Sequence, residues 1–220
     1  MRDDERIPIV SLAGASALAP GGGRLDGASL DLHAGDLVST AGWGPASAAL
    51  VGVLSGRLRL RQGSMRPRPA PVAHVREDGH PLPGATLAHG LAAAMAARQG
   101  SPRLWLRSPV GALGGKVLDE ALHALERTGL AELAERPGSR LNRLEQLLAR
   151  LALATAVRQR VLLLDRVGEG LEPPSTRRLA GVMRSLAADG CAFLLAECPA
   201  ALGEAAGARV LPSPVAVRGG

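Results

Sequence analysis

The residue best placed to do chemistry in this chain is an aspartate at the end of a short apolar run. Asp165 follows directly after Val161-Leu162-Leu163-Leu164. A short, wholly apolar run of this kind predicts a buried strand of a parallel sheet. Open α/β sheets present ligand-facing groups at the carboxyl ends of their strands, so Asp165 lies where such folds keep a catalytic or metal-facing acid. The run alone is equally compatible with an aspartate that merely ends the strand and caps the next turn.

The register of the neighbouring segments indicates a family. An apolar-periodic helical pattern precedes the strand and begins near Leu141. The region resembles the C-terminal half of an ATP-binding cassette (ABC) ATPase, in which a Leu-Ser-Gly-Gly-Gln signature precedes a helix and a strand then ends in Asp-Glu. With Leu141 on the first signature residue, Asp165 falls on the Walker B aspartate without a gap. The resemblance assigns the degenerate signature to Leu141, Asn142, Arg143, Leu144 and Glu145.

An upstream segment resembles the phosphate-binding Walker A loop of the same family. Residues 25–36 are similar to the opening β-subdomain of ABC ATPases, and Leu54-Ser55-Gly56 is similar to the Leu-Ala-Gly after the loop. Counting back from Leu54, the resemblance puts Ser47 at the lysine that reaches the nucleotide phosphates. The degenerate Walker A positions are Gly42, Gly44, Ser47, Ala48 and Ala49. In the family, the places of Ala48 and Ala49 hold the Ser/Thr pair that binds Mg²⁺.

Three further positions depart from the family. The resemblance puts Glu77 at the glutamine that senses the γ-phosphate, Arg166 at the catalytic carboxylate, and Cys198 at the switch histidine. A cation such as Arg166 cannot polarise a water molecule as a general base. The sequence therefore predicts no complete catalytic set and no metal site. Asp165 and Gly44 are interpreted as remnants of the fold rather than as ligands.

The missing groups determine the nucleotide prediction. Charge-assisted contacts contribute about 1.5–3 kcal/mol each, so losing the lysine and the Mg²⁺-binding hydroxyl removes roughly 3–6 kcal/mol. A micromolar site holds about 8 kcal/mol, which such losses reduce to roughly the millimolar range or weaker. Pro45 also removes one N–H from the phosphate cradle. We expect ATP and Mg²⁺ only as residual ligands. The open alternative is a rewired site in which Trp43 stacks a base and Arg143 or Arg166 meets phosphate.

Composition disfavours nucleic acid as a partner. The net charge of +6 is almost entirely arginine, with Lys116 as the only lysine. The arginines are scattered and the only aromatic residues are Trp43, Trp105 and Phe193. Nucleic-acid readers usually combine a basic patch with stacking aromatics, so we expect no nucleic-acid binding. No apolar run reaches the roughly 18 residues of a membrane span, and the N-terminus lacks a signal-peptide pattern.

The resemblance covers nearly the whole chain and implies its architecture. The expected fold is an α/β, ABC-ATPase-like P-loop NTPase fold, with a mainly parallel sheet, an antiparallel β-subdomain and a helical insertion. We predict a single domain over residues 1–220, with the β-subdomain and core at about 1–85 and 158–220 and the helical subdomain at about 86–157. Local patterns predict a first strand from Ile7 to Leu12 and a helix capped by Ser175.

The resemblance also implies partners. Such domains dimerise head to tail and drive a membrane permease, with each ATP between the Walker motifs of one chain and the signature of the other. The leading hypothesis is a pseudo-ATPase with a structural or regulatory role in an ABC complex, cytoplasmic and peripheral to the inner membrane. Its partners would be a permease subunit, a sibling ABC ATPase subunit or a second copy. The open alternatives are a weakly active ATPase and a soluble module that binds an acidic ligand in the old nucleotide cleft.

Overall fold

The chain divides into two compact units. The computed structural model describes residues 7–67, 70–76, 82, 84–98 and 115–213. The core unit comprises Met1–Glu77 and Arg160–Gly220, and the helical unit comprises Asp78–Gln159. The helical unit thus interrupts the core unit in the sequence. The assignment of the whole chain to one domain stays a prediction.

The core unit is built from both strands and helices. Its strands are β1 (Val10–Leu18), β2 (Arg24–Leu32), β3 (Leu37–Ser39), β4 (Gln62–Arg66), β5 (Val72–Arg76), β6 (Val161–Asp165), β7 (Ala192–Ala196) and β8 (Arg209–Val210). Its helices are α1 (Pro45–Leu54), α5 (Pro173–Ala188) and α6 (Ala200–Ala206). The helical unit contains α2 (Leu87–Arg98), α3 (Gly115–Arg127) and α4 (Arg143–Ala156), with short 3₁₀ turns at Ala131–Leu133 and Gly138–Arg140.

A parallel sheet runs through the core unit in the order β5-β6-β7-β3-β8. The apolar run of β6 is buried from Val161 to Leu164, and every residue of β7 is buried. Continuous apolar strands suit this position because a parallel sheet is covered on both faces. The predicted parallel sheet is confirmed, and Asp165 ends β6 at its carboxyl edge.

An antiparallel sheet packs on the same core, in the order β2-β1-β4. Its inward side chains, including Leu12 and Leu32, join a cluster that contains Leu50 of α1 and Leu194 of β7. The expected antiparallel β-subdomain is therefore confirmed. The described helices of the helical unit agree with the expected helical insertion, and α3 buries Ala121, Ala124 and Leu125 along one side.

Two local predictions were wrong. The first strand begins at Val10 rather than at Ile7, whose side chain is 90% exposed and has no neighbouring core to enter. Helix α5 begins at Pro173 with Glu172 as the N-cap residue, so Ser175 lies inside its first turn. Proline is well accepted at the first helical position because its missing N–H has no partner there. Among the described helices, none is both long and apolar enough to cross a bilayer.

We predict that Gly63 is required for the close pairing of β4 with β1. Gly63 has φ +83°, and a Cβ there would lie 2.4 Å from the carbonyl oxygens of Ala13 and Gly14. Gly21 also has a positive φ of +96° but open space around the same position. Gly63→Ala should therefore destabilise the protein by more than the roughly 1–2 kcal/mol of a left-handed residue alone, and Gly21→Ala by about that amount. Urea denaturation measures both, and equal losses would contradict the steric argument.

Candidate functional site

The segment predicted to be a phosphate loop connects β3 to α1. Gly42 and Gly44 both have positive φ, of 84° and 52°, and Gly44 is the N-cap residue of α1 with Pro45 at its first position. Glycines are favoured at such φ values because they carry no Cβ. The strand–turn–helix frame of a phosphate loop is thus present. The side chains and N–H groups that fill it decide what the loop can hold.

Ser47, predicted to hold the position of the family lysine, makes its hydrogen bond inside the protein. Its side chain is 1% exposed, and its Oγ lies 2.6 Å from Oγ1 of Thr40 in a hydrogen bond. Thr40 Oγ1 also lies 3.3 Å from the carbonyl oxygen of Leu195, to which it donates. Ala48 is exposed and Ala49 is buried, and neither has an oxygen in its side chain. The loop therefore offers no cation at this position and no hydroxyl at the next two.

Several N–H groups of the loop donate to carbonyls within it. The N–H of Trp43 donates to Thr40 at 3.0 Å, that of Ala46 to Trp43 at 3.3 Å, and that of Ser47 to Gly44 at 3.0 Å. Pro45 has no N–H to give. A phosphate cradle depends on N–H groups that converge on the ligand. Here these three donors close the turn of the loop instead.

The proposed base-stacking role of Trp43 was wrong. Its side chain is 7% exposed and belongs to the hydrophobic core of the unit. Its Nε1–H donates to the carbonyl oxygen of Leu211 at 3.0 Å. A buried indole usually finds such a partner because an unpaired N–H is costly to desolvate. Trp43 thus holds the loop to the segment after β8 and presents no ring face to a ligand.

Asp165 is paired with His74 across the neighbouring strand. Oδ2 of Asp165 lies 2.9 Å from Nε2 of His74, and both side chains are largely buried. This hydrogen bond holds the pKa of Asp165 below its usual value, with help from the charges of His74, Arg76 and Arg166, while burial acts in the opposite direction. His74 lies on β5, and Arg76 pairs in register with Asp165. The carboxylate is thus hydrogen-bonded to His74 and lies beside Arg76 of its own sheet.

Arg166 meets a carboxylate from the next strand. It follows β6 with φ +55°, and Glu197 follows β7 with φ +52°. The guanidinium is 72% exposed, and its Nε donates to Oε2 of Glu197 at 2.7 Å. This hydrogen bond raises the pKa of Arg166 above its ordinary value. The residue predicted at the family's carboxylate position is therefore a cation that is paired with an acid.

Cys198 turns away from this ion pair. Its thiol donates to the carbonyl oxygens of Leu164 at 3.3 Å and Ala196 at 3.5 Å, at the ends of β6 and β7. The structure therefore brings Asp165, Arg166 and Cys198 to one edge of the sheet, but Glu197 makes the contact with Arg166. Sequence reasoning missed both His74 and Glu197. Glu77 lies outside the described residues.

The segment predicted to be the signature, in the helical unit, forms a helix cap. The N–H of Glu145 donates to Oδ1 of Asn142 at 2.9 Å, and the N–H of Asn142 donates to Oε2 of Glu145 at 2.8 Å. This reciprocal capping box begins α4. Leu141 and Leu144 are buried beside it, and Arg143 is exposed. The start of α4 is therefore satisfied by its own side chains and carries a carboxylate.

The arrangement at the sheet edge has limited capacity for a metal ion. Within the described residues, no three His, Cys, Asp or Glu side chains gather as metal ligands. Mg²⁺ prefers oxygen ligands with near-octahedral geometry, and in P-loop proteins a Ser/Thr hydroxyl supplies one of them. Ala48 and Ala49 supply none, and Asp165 is bonded to His74. These residues do not fit Mg²⁺–ATP in the manner of the family.

Comparison with known proteins gives relatives in sequence and in structure. The chain is 34% identical over 205 residues to the cytochrome c biogenesis ATP-binding export protein CcmA of Bordetella parapertussis. The alignment covers 90% of this chain and 86% of that protein. An inward-facing metal-chelate-type ABC transporter matches with a TM-score of 0.74 at 16% identity, over 95% of this chain and 82% of the other. The cbiO1 subunit of the Clostridium perfringens ABC transporter complex cbiONQ matches with a TM-score of 0.70 at 16% identity, over 87% and 79%. No protein-family model matches the chain.

We predict that the Asp165–His74 contact makes stability depend on pH. A carboxyl whose pKa is lowered by folding stabilises the protein above its unfolded pKa of about 3.9, and this contribution is lost as pH falls through the folded value. Asp165→Asn should lower the free energy of unfolding by about 1–2 kcal/mol at neutral pH, the lower part of the range for a charged hydrogen bond because the pair is partly exposed. The deficit should shrink below about pH 4.

Urea denaturation at several pH values measures this effect. Asp31→Asn, at an exposed position on β2, removes one carboxylate from the same unit and serves as the matched control. This control should lose stability on acidification as steeply as the unmodified protein, whereas Asp165→Asn should lose less. A deficit in Asp165→Asn that is constant from neutral to acidic pH would refute the role given to the carboxylate's charge.

Proposed function

Since this chain belongs to the ABC transporter ATP-binding family, we propose that it is the ATP-binding-type subunit of a membrane export complex and that it does not hydrolyse ATP. The relatives are named export proteins of cytochrome c biogenesis, and we place this subunit in an export complex of that type. Its role there would be structural or regulatory. Its location would be cytoplasmic and peripheral to the inner membrane, through contact with a permease.

The observation that carries the proposal is the ion pair between Arg166 and Glu197. In the family, by resemblance, the residue after the Walker B strand is a carboxylate that acts on the attacking water. A guanidinium has no basic lone pair at any physiological pH, so it cannot take up that proton. Its Nε is moreover committed to Glu197 at 2.7 Å. A hydrolytic site built on this frame would lack its base.

The loop after β3 supports the same conclusion. The hydroxyl of Ser47 is hydrogen-bonded to that of Thr40, and the serine side chain supplies no charge for the β- and γ-phosphates. Rebuilding a lysine at Ser47 would place a charge where the side chain is 1% exposed. Burying an unpaired charge is costly. The local packing is therefore adapted to a small neutral side chain.

The degenerate signature limits what this chain can give to a partner. In a family dimer, the signature of one chain faces the nucleotide held by the other. At the start of α4 the N–H of Glu145 donates to the side chain of Asn142, and the N–H of Asn142 donates to the carboxylate of Glu145, so neither N–H is available to a phosphate. In a heterodimer with an active sibling, one composite site would lack this chain's Walker residues and the other its signature. A half-active heterodimer is therefore disfavoured, and a permease or a fully equipped partner suits the chain better.

The first test is nucleotide binding by isothermal titration calorimetry. We expect no micromolar binding of ATP in the presence of Mg²⁺, because losing two charge-assisted contacts weakens a micromolar site by roughly 3–6 kcal/mol. The Bordetella parapertussis CcmA, 34% identical, is the positive control under the same conditions. Micromolar binding by this chain would refute the proposal and favour a rewired ATPase. Loss of that binding in Asp165→Ala or Arg166→Ala would then locate the rewired site.

Membrane fractionation separates the subunit proposal from the soluble-module alternative. We expect a tagged chain to sediment with membranes of its own host and to co-purify there with a membrane-spanning subunit. Expressed alone in a foreign host, it should stay in the supernatant, since no described helix can cross a bilayer. Recovery in the supernatant of both hosts would favour the soluble binding module.

A further inference from the structure

An exposed row of arginines follows α1 in the core unit. This arginine strip consists of Arg57, Arg59, Arg61 and Arg66, all of them exposed. Leu58 and Leu60 alternate with the first three arginines and are half-buried. The alternation in burial therefore leaves the arginines in solvent and turns the two leucines partly toward the protein.

Leu58 and Leu60, which alternate with the arginines of the strip, line a concave apolar groove. The groove has a volume of about 530 Å³. Its apolar lining consists of Leu54, Leu58, Leu60, Met65, Ala70 and Val72. Arg59 lies at the groove as well, so one arginine borders the apolar floor directly. A cleft of this kind can bury an apolar side chain while its border binds charge.

The strip is held in place on both sides. The N–H of Leu58 donates to the carbonyl of Gly52 in α1 at 2.8 Å, and the N–H of Arg61 donates to Ser16 of β1 at 2.8 Å. A Cβ at Gly52 would lie 2.5 Å from Cδ1 of Leu58, so the glycine lets the leucine pack on the helix. A surface fixed in this way loses little conformational freedom when a partner binds.

The positive charge of the strip is not neutralised within the described part of the chain. Within the described residues Arg59, Arg61 and Arg66 form no ion pair, whereas Arg24, which lines a pocket together with Arg61, pairs with Asp26 at 2.6 Å. Arg57 donates from Nε to the hydroxyl of Ser55 at 3.1 Å. Guanidinium groups bind carboxylates in a planar, bidentate geometry. The strip is therefore complementary to a row of carboxylates.

We propose that the strip and groove bind an acidic amphipathic segment of a partner protein, with an apolar side chain in the groove and carboxylates on the arginines. This site is independent of ATP hydrolysis and lies apart from the ends of β6 and β7. Charge complementarity and the concave shape together identify the occupant.

Two other anionic partners suit the surface less well. A bilayer surface is bound by protruding apolar side chains, and the exposed large hydrophobic residues of the described chain are Ile7, Leu18, Leu122 and Val210, none of them in the strip. Single-stranded nucleic acid is bound by stacking on aromatic rings, and the groove is lined by aliphatic residues. A peptide is the ligand that uses both the charge and the cavity.

The test measures binding of a soluble labelled peptide of glutamate, leucine and serine by fluorescence anisotropy, with the full-length protein. A peptide with lysine in place of glutamate is the ligand control. Arg59→Glu with Arg61→Glu should weaken binding by about tenfold or more, since attraction becomes repulsion at two contacts. Leu60→Ser should weaken it by a similar factor with an unchanged salt dependence. The matched control, Arg177→Glu with Arg209→Glu, makes the same charge change at exposed sites elsewhere in the core unit and should retain the affinity.

The outcomes are decisive in either direction. Circular dichroism verifies that each variant is folded. Absence of peptide binding, or an equal loss in the control pair, would overturn the proposal. Binding of vesicles of phosphatidylglycerol and phosphatidylcholine, or of a single-stranded oligonucleotide, that depends on Arg59 and Arg61 while the peptide fails to bind, would overturn it in favour of a membrane or nucleic-acid surface.

Discussion

The position of β6 between β5 and β7 fixes the geometry of the candidate site. The parallel register sets Arg76 of β5 beside Asp165, and Asp165 beside Ala196 of β7. The residues that directly follow these parallel strands must therefore lie side by side at the carboxyl edge of the sheet. Nε2 of His74 contacts Asp165, and Oε2 of Glu197 contacts Arg166, because these residues lie on neighbouring strands or directly after them. The pairing of the strands thus determines which side chains can meet at the site.

The charges at this edge are arranged to neutralise one another. Asp165 has the cationic influence of His74, Arg76 and Arg166 around it, and Glu197 takes the exposed guanidinium. A metal-binding carboxylate works when its negative potential is left for the ion, and competing cations remove that potential. The contacts thus account for a stable sheet edge without any bound ligand. In the ABC frame, this internal pairing is the physical basis of the non-hydrolytic proposal.

Much of the fold could be predicted from local pattern, and much of the site could not. The apolar run before Asp165 specified a buried strand, and the family resemblance specified the two sheets, both confirmed. The open alternative in which Trp43 stacks a base does not fit the structure, and nothing nearby in sequence indicates the hydrogen bond of Trp43 to Leu211. His74 was missed for the same reason: its partner lies 91 residues away and becomes visible only through the register of β5 with β6. Glu197 could have been found as the polar residue that directly follows the buried strand β7.

The backbone at the strand ends shows which part of the site belongs to the frame. Arg166 and Glu197 both adopt left-handed φ values, which are unfavourable for residues with a Cβ. Their ion pair is too exposed to offset this strain, because water and salt screen it. The packed strands that lead into these turns must therefore impose the conformation, as the N–H of Arg166 indicates by donating to the carbonyl of Ala196 at 2.9 Å. The strands therefore set the turn at these two positions, and the charges carried there, rather than the turn, are what the non-hydrolytic proposal depends on.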